Sequence, residues 1–184
     1  MSARISMNKN DAAIGFIGLG VMGAPMAGHL AANGYDAIVY NRSSQKITRW
    51  LAEHEGAAAA SPGELALKVN NIVSCVGNDD DLREITLGPK GAIPNMSAGS
   101  VFIDHSTTSA DVAREIAEIA QTYNVHFLDA PVSGGEAGAQ AGKLTVMCGG
   151  SKTAYDLAEP IISCYAKASN LMGSSGAGQL TKMV

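Results

Sequence analysis

The sequence predicts an α/β fold, a doubly wound and mostly parallel sheet built as a single domain. Two observations predict it. Short apolar runs alternate with amphipathic stretches along the chain, as strands and covering helices do. The runs end in glycine or polar clusters, and 21 glycines in 184 residues supply the tight turns that such alternation needs.

Each element follows in order. Residues 13–17 form an apolar run ending in glycines, as a buried parallel strand does. Met22, Met26 and Leu30, with Ala27 beside them, make one helical stripe that stops at Asn33-Gly34. A second strand is expected over 36–40, a helix over 45–55, a short strand over 56–60 and a proline-opened helix over 62–68. A strand over 71–76 precedes a helix over 79–87, whose opening acids Asp79, Asp80 and Asp81 suit the helix dipole. Strand 100–104 leads to a helix striped by Val112, Ile116, Ile119, Ala120 and Tyr123 and capped by Thr108 or Ser109. Strands are expected over 126–130 and 144–148. A helix over 152–158 should be interrupted by Pro160, with a last strand over 168–172 and a helix over 178–184.

Composition narrows the function classes. Net charge is −4, from 13 basic and 17 acidic residues, with no dense basic block to hold nucleic acid. No apolar run reaches the ~20 residues that span a membrane, so no membrane partner is expected. Residues 1–12 lack the apolar core of a signal peptide and read as a flexible leader, which makes the cytoplasm the expected location. Cys75, Cys148 and Cys164 show no C-x-x-C spacing; they are expected to be reduced, buried and small apolar in role, with no metal site.

The turn after the first strand carries the strongest chemical signal. Gly18-Leu19-Gly20-Val21-Met22-Gly23 follows a strand, opens a helix and sits inside a β-α-β unit, the setting of a dinucleotide-binding Rossmann turn. Gly18 permits the turn, Gly20 lets backbone N–H groups reach a pyrophosphate, and Gly23 allows close helix–sheet packing. At the end of the second strand, where NAD-preferring folds place an acid, stands Asn41-Arg42-Ser43. A guanidinium pairs with a 2′-phosphate and stacks on adenine, so the expected cofactor is NADP or NAD, with NADP favoured.

Four segments in register extend this reading. They are Gly15-Phe-Ile-Gly-Leu-Gly-Val-Met-Gly-Ala-Pro-Met26, Asp104-His-Ser-Thr107, Asp129-Ala-Pro-Val-Ser-Gly-Gly135 and Gly176-Ala-Gly-Gln-Leu-Thr-Lys182. On these motifs, from Ile14 to Val184, the chain resembles the β-hydroxyacid dehydrogenase family. The resemblance implies hydride transfer between NAD(P) and a short β-hydroxy acid or its semialdehyde. It makes Lys182 the catalytic proton carrier, whose pKa must fall from its reference value of ~10.4 for it to act as a base. It places the substrate carboxylate on Ser133, Gly134 and Gly135, where a hydroxyl and successive N–H groups form an anion-binding concavity. It puts Cys75, Val76, Gly77 and Asn78 against a cofactor ribose, and Thr107, next to Ser106, near the nicotinamide ribose. His105 is not required by the pattern and is not assigned a catalytic role.

Family members continue into an all-helical second domain. The resemblance therefore divides the chain into the leader 1–12, an NAD(P)-binding domain 13–175 and the start of an interdomain helix 176–184. It implies a homo-oligomeric parent, and an isolated 184-residue chain that binds cofactor weakly and turns over poorly or not at all. Reductases of tartronate, glyoxylate or succinic semialdehyde share the four motifs, and Arg42 leans toward those NADP-linked enzymes. A non-catalytic dinucleotide-binding module is the alternative from another class, against which the joint presence of Lys182 and Ser133 speaks.

Overall fold

In the computed structural model of the chain, residues 12–184 are described, so the leader expected over 1–12 lies outside them apart from Ala12. Nine strands appear among the described residues: β1 (Ala13–Ile17), β2 (Asp36–Tyr40), β3 (Ala57–Ala58), β4 (Asn71–Ser74), β5 (Val101–Asp104), β6 (His126–Asp129), β7 (Val132–Ser133), β8 (Leu144–Gly149) and β9 (Ala166–Gly173). The helices are α1 (Gly23–Ala32), α2 (Ser44–Glu53), α3 (Pro62–Ala66), α4 (Asp79–Leu87), α5 (Ala110–Thr122), α6 (Gly135–Gln140), α7 (Lys152–Ile162) and α8 (Ala177–Met183).

The strands form one sheet in the order β3-β2-β1-β4-β5-β6-β8-β7, with β9 paired to β8. The six strands from β3 to β6 run parallel, as predicted for a doubly wound fold. Successive residues feed opposite faces. Phe16, Val73, Ile103 and Leu128 enter one core with α1, α2 and α7, while Ile17, Ile72, Phe102 and Phe127 enter a second with α3, α4 and α5. Strand order reverses between β1 and β4, and ligands of open α/β sheets bind at such a reversal.

One departure from parallel pairing shapes the site. β8 pairs antiparallel with β6 at Asp129↔Gly149 and with β7 at Val132↔Val146 and Ser133↔Thr145, and Met147 N donates to Pro131 O at 3.1 Å between them. The register is continuous, so residues 129–133 form one extended segment that runs past the end of β6. Four residues of extended chain carry Ser133 about 13 Å from Asp129.

Several elements differ from the sequence reading. β7 and α6 were not predicted; they are too short to show a period, and their glycines read as loop. Pro160 does not end its helix, because α7 continues to Ile162. A proline in a helix orphans the carbonyl four residues back, and here that residue, Asp156, is exposed and its carbonyl can be hydrated. β3 shrinks to two residues, and β9 extends the expected last strand to eight. In α5 the cap is Ser109, which accepts from Val112 N at 3.1 Å; Val112, Ile116 and Ala120 are buried, but Ile119 and Tyr123 of the predicted stripe are exposed. Cys148 is buried as expected, whereas Cys75 and Cys164 are only half-buried; all three are free thiols. No helix of the described residues is long and apolar enough to cross a membrane.

Candidate active site

The three turn glycines occupy three different environments. Gly18 has φ +98°, and a Cβ there would overlap the Cys75 carbonyl oxygen. A Cβ on Gly23 would overlap the Gly18 carbonyl and press on Phe16 at 3.1 Å, so α1 packs directly on the turn. A Cβ on Gly20 would meet nothing within 4 Å. Two glycines therefore serve the fold and one leaves open space. Gly20, Val21 and Met22 border a cleft of about 450 Å³, and their N–H groups have no protein acceptor among the described residues. Leu19 is buried instead, and its N–H donates to Asn41 Oδ1 at 2.9 Å, which ties the turn to the end of β2. An open glycine position, free N–H donors and a helix start fit a dinucleotide's pyrophosphate.

The same cleft gathers residues from three strand ends. Asn41, Arg42, Ser43 and Lys46 follow β2, Cys75 to Gly77 follow β4, and Asp81 and Glu84 face in from α4. Asn78, like the buried Leu19, is an exception among the predicted contacts. It does not border this cleft; its side chain caps α4 by accepting from Asp81 N at 2.9 Å. Lys46, Asp81 and Glu84 were missed by sequence reasoning, which took Asp81 only as a helix-dipole partner. Burial pushes the Cys75 thiol up to about 12, with the nearby Asp104 charge adding to it, so this thiol is unreactive at neutral pH.

A second cleft of about 510 Å³ shares Met22, Cys75, Val76 and Gly77 with the first. Its other walls bring together Thr107, Ser133, Gly134, Gly135 and Lys182, residues spread over 76 positions of sequence, with His105 behind them. Gly134 and Gly135 have φ +129° and +61°, the backbone reversal that turns the chain from β7 into α6. Lys182 Nζ donates to Val132 O at 2.8 Å, one residue from Ser133.

Buried polar groups set these positions. Asp129 Oδ1 accepts from Gly176 N at 2.7 Å and Oδ2 from Gln179 N at 3.0 Å, holding the start of α8 against β6. Burial raises the Asp129 pKa, and these backbone bonds pull it back. Gln179, fully buried, accepts from Thr108 N at 3.2 Å and donates to Ser106 O at 2.7 Å. Asp129 and Gln179 were legible only as parts of motifs; nothing in the sequence pairs them. Ser106 Oγ accepts from Val76 N at 2.9 Å and donates to Asp104 Oδ1 at 2.6 Å. Burial pushes Asp104 up to about 6 against the pull of its bonds from Ser106 and Ser74, and its Oδ2 has no partner. His105 is fully spoken for. Its Nδ1 lies 2.6 Å from Ala130 O and its Nε2 2.7 Å from Tyr165 Oη. Two such partners fix a neutral ring with Nδ1–H donating and Nε2 accepting. Burial lowers its pKa to about 4, against the pull of Ala130 O.

Residues 13–174 match the family described as the NAD binding domain of 6-phosphogluconate dehydrogenase. The chain belongs to that family. Like other NAD binding domains, it has its cleft at the strand reversal. An uncharacterized oxidoreductase of Shewanella frigidimarina is 53% identical over 173 residues, which cover 94% of this chain and 60% of that protein. The solved 3-hydroxyisobutyrate dehydrogenase of Mycobacterium tuberculosis with L-serine superposes with a TM-score of 0.87 at 30% identity, covering 93% of this chain and 57% of that one. A solved structure of Psf3 in complex with NADP+ and 2-OPP gives 0.88 at 25%, covering 92% and 60%. The resemblance carried by the four motifs is thus matched by relatives in sequence and in structure. The chain spans 50% to 60% of the length of curated relatives that it matches.

Proposed function

We propose that this chain is the cofactor-binding part of an NAD(P)-dependent oxidoreductase that interconverts a short β-hydroxy acid and its semialdehyde. The observation that carries the reading is the shared wall between the two clefts, with Lys182, Ser133 and Thr107 on the far side of Met22 and Gly77. A nicotinamide bound against that wall supplies the hydride acceptor or donor. The substrate carboxylate sits on Ser133 and the backbone of Gly134 and Gly135. Lys182 Nζ takes the hydroxyl proton during oxidation and returns it during reduction. The Lys182 bond to Val132 O keeps the amine beside the carboxylate cradle before substrate arrives.

Arg42, Ser43 and Lys46 in one cleft favour NADP, and the solved relative bound to NADP+ supports that direction. The same two cations favour an NADPH-linked reductase of tartronate, glyoxylate or succinic semialdehyde as the second reading. The reading also keeps the cytoplasm as the location and a homo-oligomer as the parent's state.

Calorimetry of the chain with NADP+ and NAD+ tests the cofactor half. The substrate half is tested by steady-state rates with 3-hydroxyisobutyrate and each semialdehyde, on a chain lengthened to its relatives' full size. Lys182→Ala is expected to lower kcat about 10²- to 10⁴-fold with cofactor affinity unchanged. Absence of dinucleotide binding, or full activity without Lys182, overturns the proposal.

A further inference from the structure

The cleft that accepts an adenosine end on this reading holds both charges, and they are not equally free to move. Arg42 Nη1 lies 3.3 Å from Asp81 Oδ1, with the Arg42 side chain 88% exposed and the Asp81 side chain 30% exposed. Asp81 is held twice by Asn78. Its backbone N–H donates to Asn78 Oδ1 at 2.9 Å, and its Oδ2 accepts from Asn78 Nδ2 at 3.2 Å. The helix turn that bears it is pinned in turn by Asp79, whose Oδ1 accepts from Ser109 N at 2.9 Å. Arg42, the more exposed of the two and with no other partner among the described residues, is therefore the freer one, and Asp81 is the carboxylate that holds it at the cleft.

The two candidate cofactors meet this pair differently. A 2′-phosphate needs the guanidinium, so it must compete with Asp81 for Arg42, and it then sits near a fixed negative charge. A free ribose needs no cation, and its hydroxyls can donate to a carboxylate. An acid facing the cleft thus works against the phosphate and not against the diol. We infer that Asp81, through its ion pair with Arg42, sets cofactor selectivity by holding NADP binding back toward parity with NAD. The inference rests on the dinucleotide reading of this cleft, and it assigns Asp81 a positioning role on Arg42.

Asp80 supplies the control. It stands on the same helix turn, its side chain is 95% exposed, and it pairs with Arg83 at 3.3 Å rather than facing the cleft. Calorimetry of the 184-residue chain with NADP+, NAD+, 2′,5′-ADP and 5′-AMP reads the effect without turnover. Asp81→Asn is expected to tighten NADP+ and 2′,5′-ADP about fivefold while moving NAD+ and 5′-AMP less than about twofold, in keeping with an exposed ion pair. Asp81→Glu should restore the parent ratio. Asp80→Asn should leave it unchanged, and raising the salt should shrink the gap between Asp81→Asn and the parent. Equal shifts for all four ligands, weaker NADP+ binding, or an equal effect from Asp80→Asn overturns the inference while leaving the functional reading intact. Failure of the parent chain to bind any of the four overturns both.

Discussion

The carboxylate of Asp129 accepts the backbone N–H of Gln179 at 3.0 Å, so the strand that leads to the Ser133 cradle also holds the helix that carries Lys182. On the proposed reading, this side chain helps set the distance between the substrate carboxylate and the proton carrier. α8 is seven residues long, and a helix that short does not hold itself in water.

Asp129→Asn should loosen α8 selectively. The amide keeps one acceptor but turns an NH2 toward a backbone N–H, leaving a buried donor unpaired at a cost of about 1–3 kcal/mol. Hydrogen exchange should show lost protection at Gln179 and the residues after it, with β1 and β4 unchanged. Equal protection across α8 in the variant would show that Gln179 alone holds the helix.

The two end glycines and the middle one of the turn should separate stability from binding. Gly20→Ala places a methyl in open space, so its melting temperature should stay within about 1–2 °C of the parent, consistent with a surface substitution. Dinucleotide binding should nevertheless weaken at least about tenfold, because on the proposed reading the methyl stands where the pyrophosphate approaches. Gly23→Ala drives a methyl into the Gly18 carbonyl and should unfold at a clearly lower temperature, by about 2–4 °C or more for each kcal/mol lost. Thermal unfolding with and without NADP+ checks both.

Asp104 and His105, adjacent in the chain, should give opposite pH slopes. Asp104 holds its proton up to about 6 in the folded state against 3.8 ordinarily, so its stabilising contribution is full below pH 3.8 and lost as pH rises through 6. His105 falls to about 4 from 6.5, so its contribution is full above pH 6.5 and lost as pH drops through 4. Each shift corresponds to roughly 3 kcal/mol, and the two nearly cancel over that range. Asp104→Asn should expose a loss of stability on acidification, and His105→Gln a gain. Denaturant midpoints at pH 4.5 and 7 check the signs; parallel curves for the parent and both variants would refute the pairing.

Tyr165→Phe should destabilise through His105. The hydroxyl lost is the partner of a fully buried imidazole nitrogen, and an orphaned acceptor costs about 1–3 kcal/mol. The melting temperature should fall, and Tyr165→Phe in a His105→Gln background should cost less, as a double-mutant cycle would record.

Most of the parallel sheet was legible, because Ile14, Phe16, Ile72 and Val101 to Ile103 lie in strands buried on both faces, which print themselves as apolar runs. The turn glycines were legible for the same local reason. What escaped were features made by long-range pairing. β7 has two residues, and its strand character exists only through its partner β8. The contacts of Asp129 with Gly176 and Gln179 span 47 and 50 residues, and no local signal foretells them. The cap made by Asn78 also went unread, because the residue was taken only as a strand end near ligand, whereas an asparagine before three acids is a helix cap as well. Pro160 was misread because it falls in the last turn of its helix, with only Ile161 and Ile162 after it, and the carbonyl it frees belongs to the exposed Asp156.

The continuous ladder of residues 129–133 with β8 has a consequence for how this protein can change over time. The glycine turn follows a strand of the parallel part of the sheet, while Ser133 to Gly135 end an antiparallel ladder at its edge that begins at Asp129. On the proposed reading, substitutions around Ser133 and Gly135 reshape which acid fits without moving β1 or its glycines. On that reading, descendants of one ancestor are free to trade substrates while inheriting the same nucleotide grip.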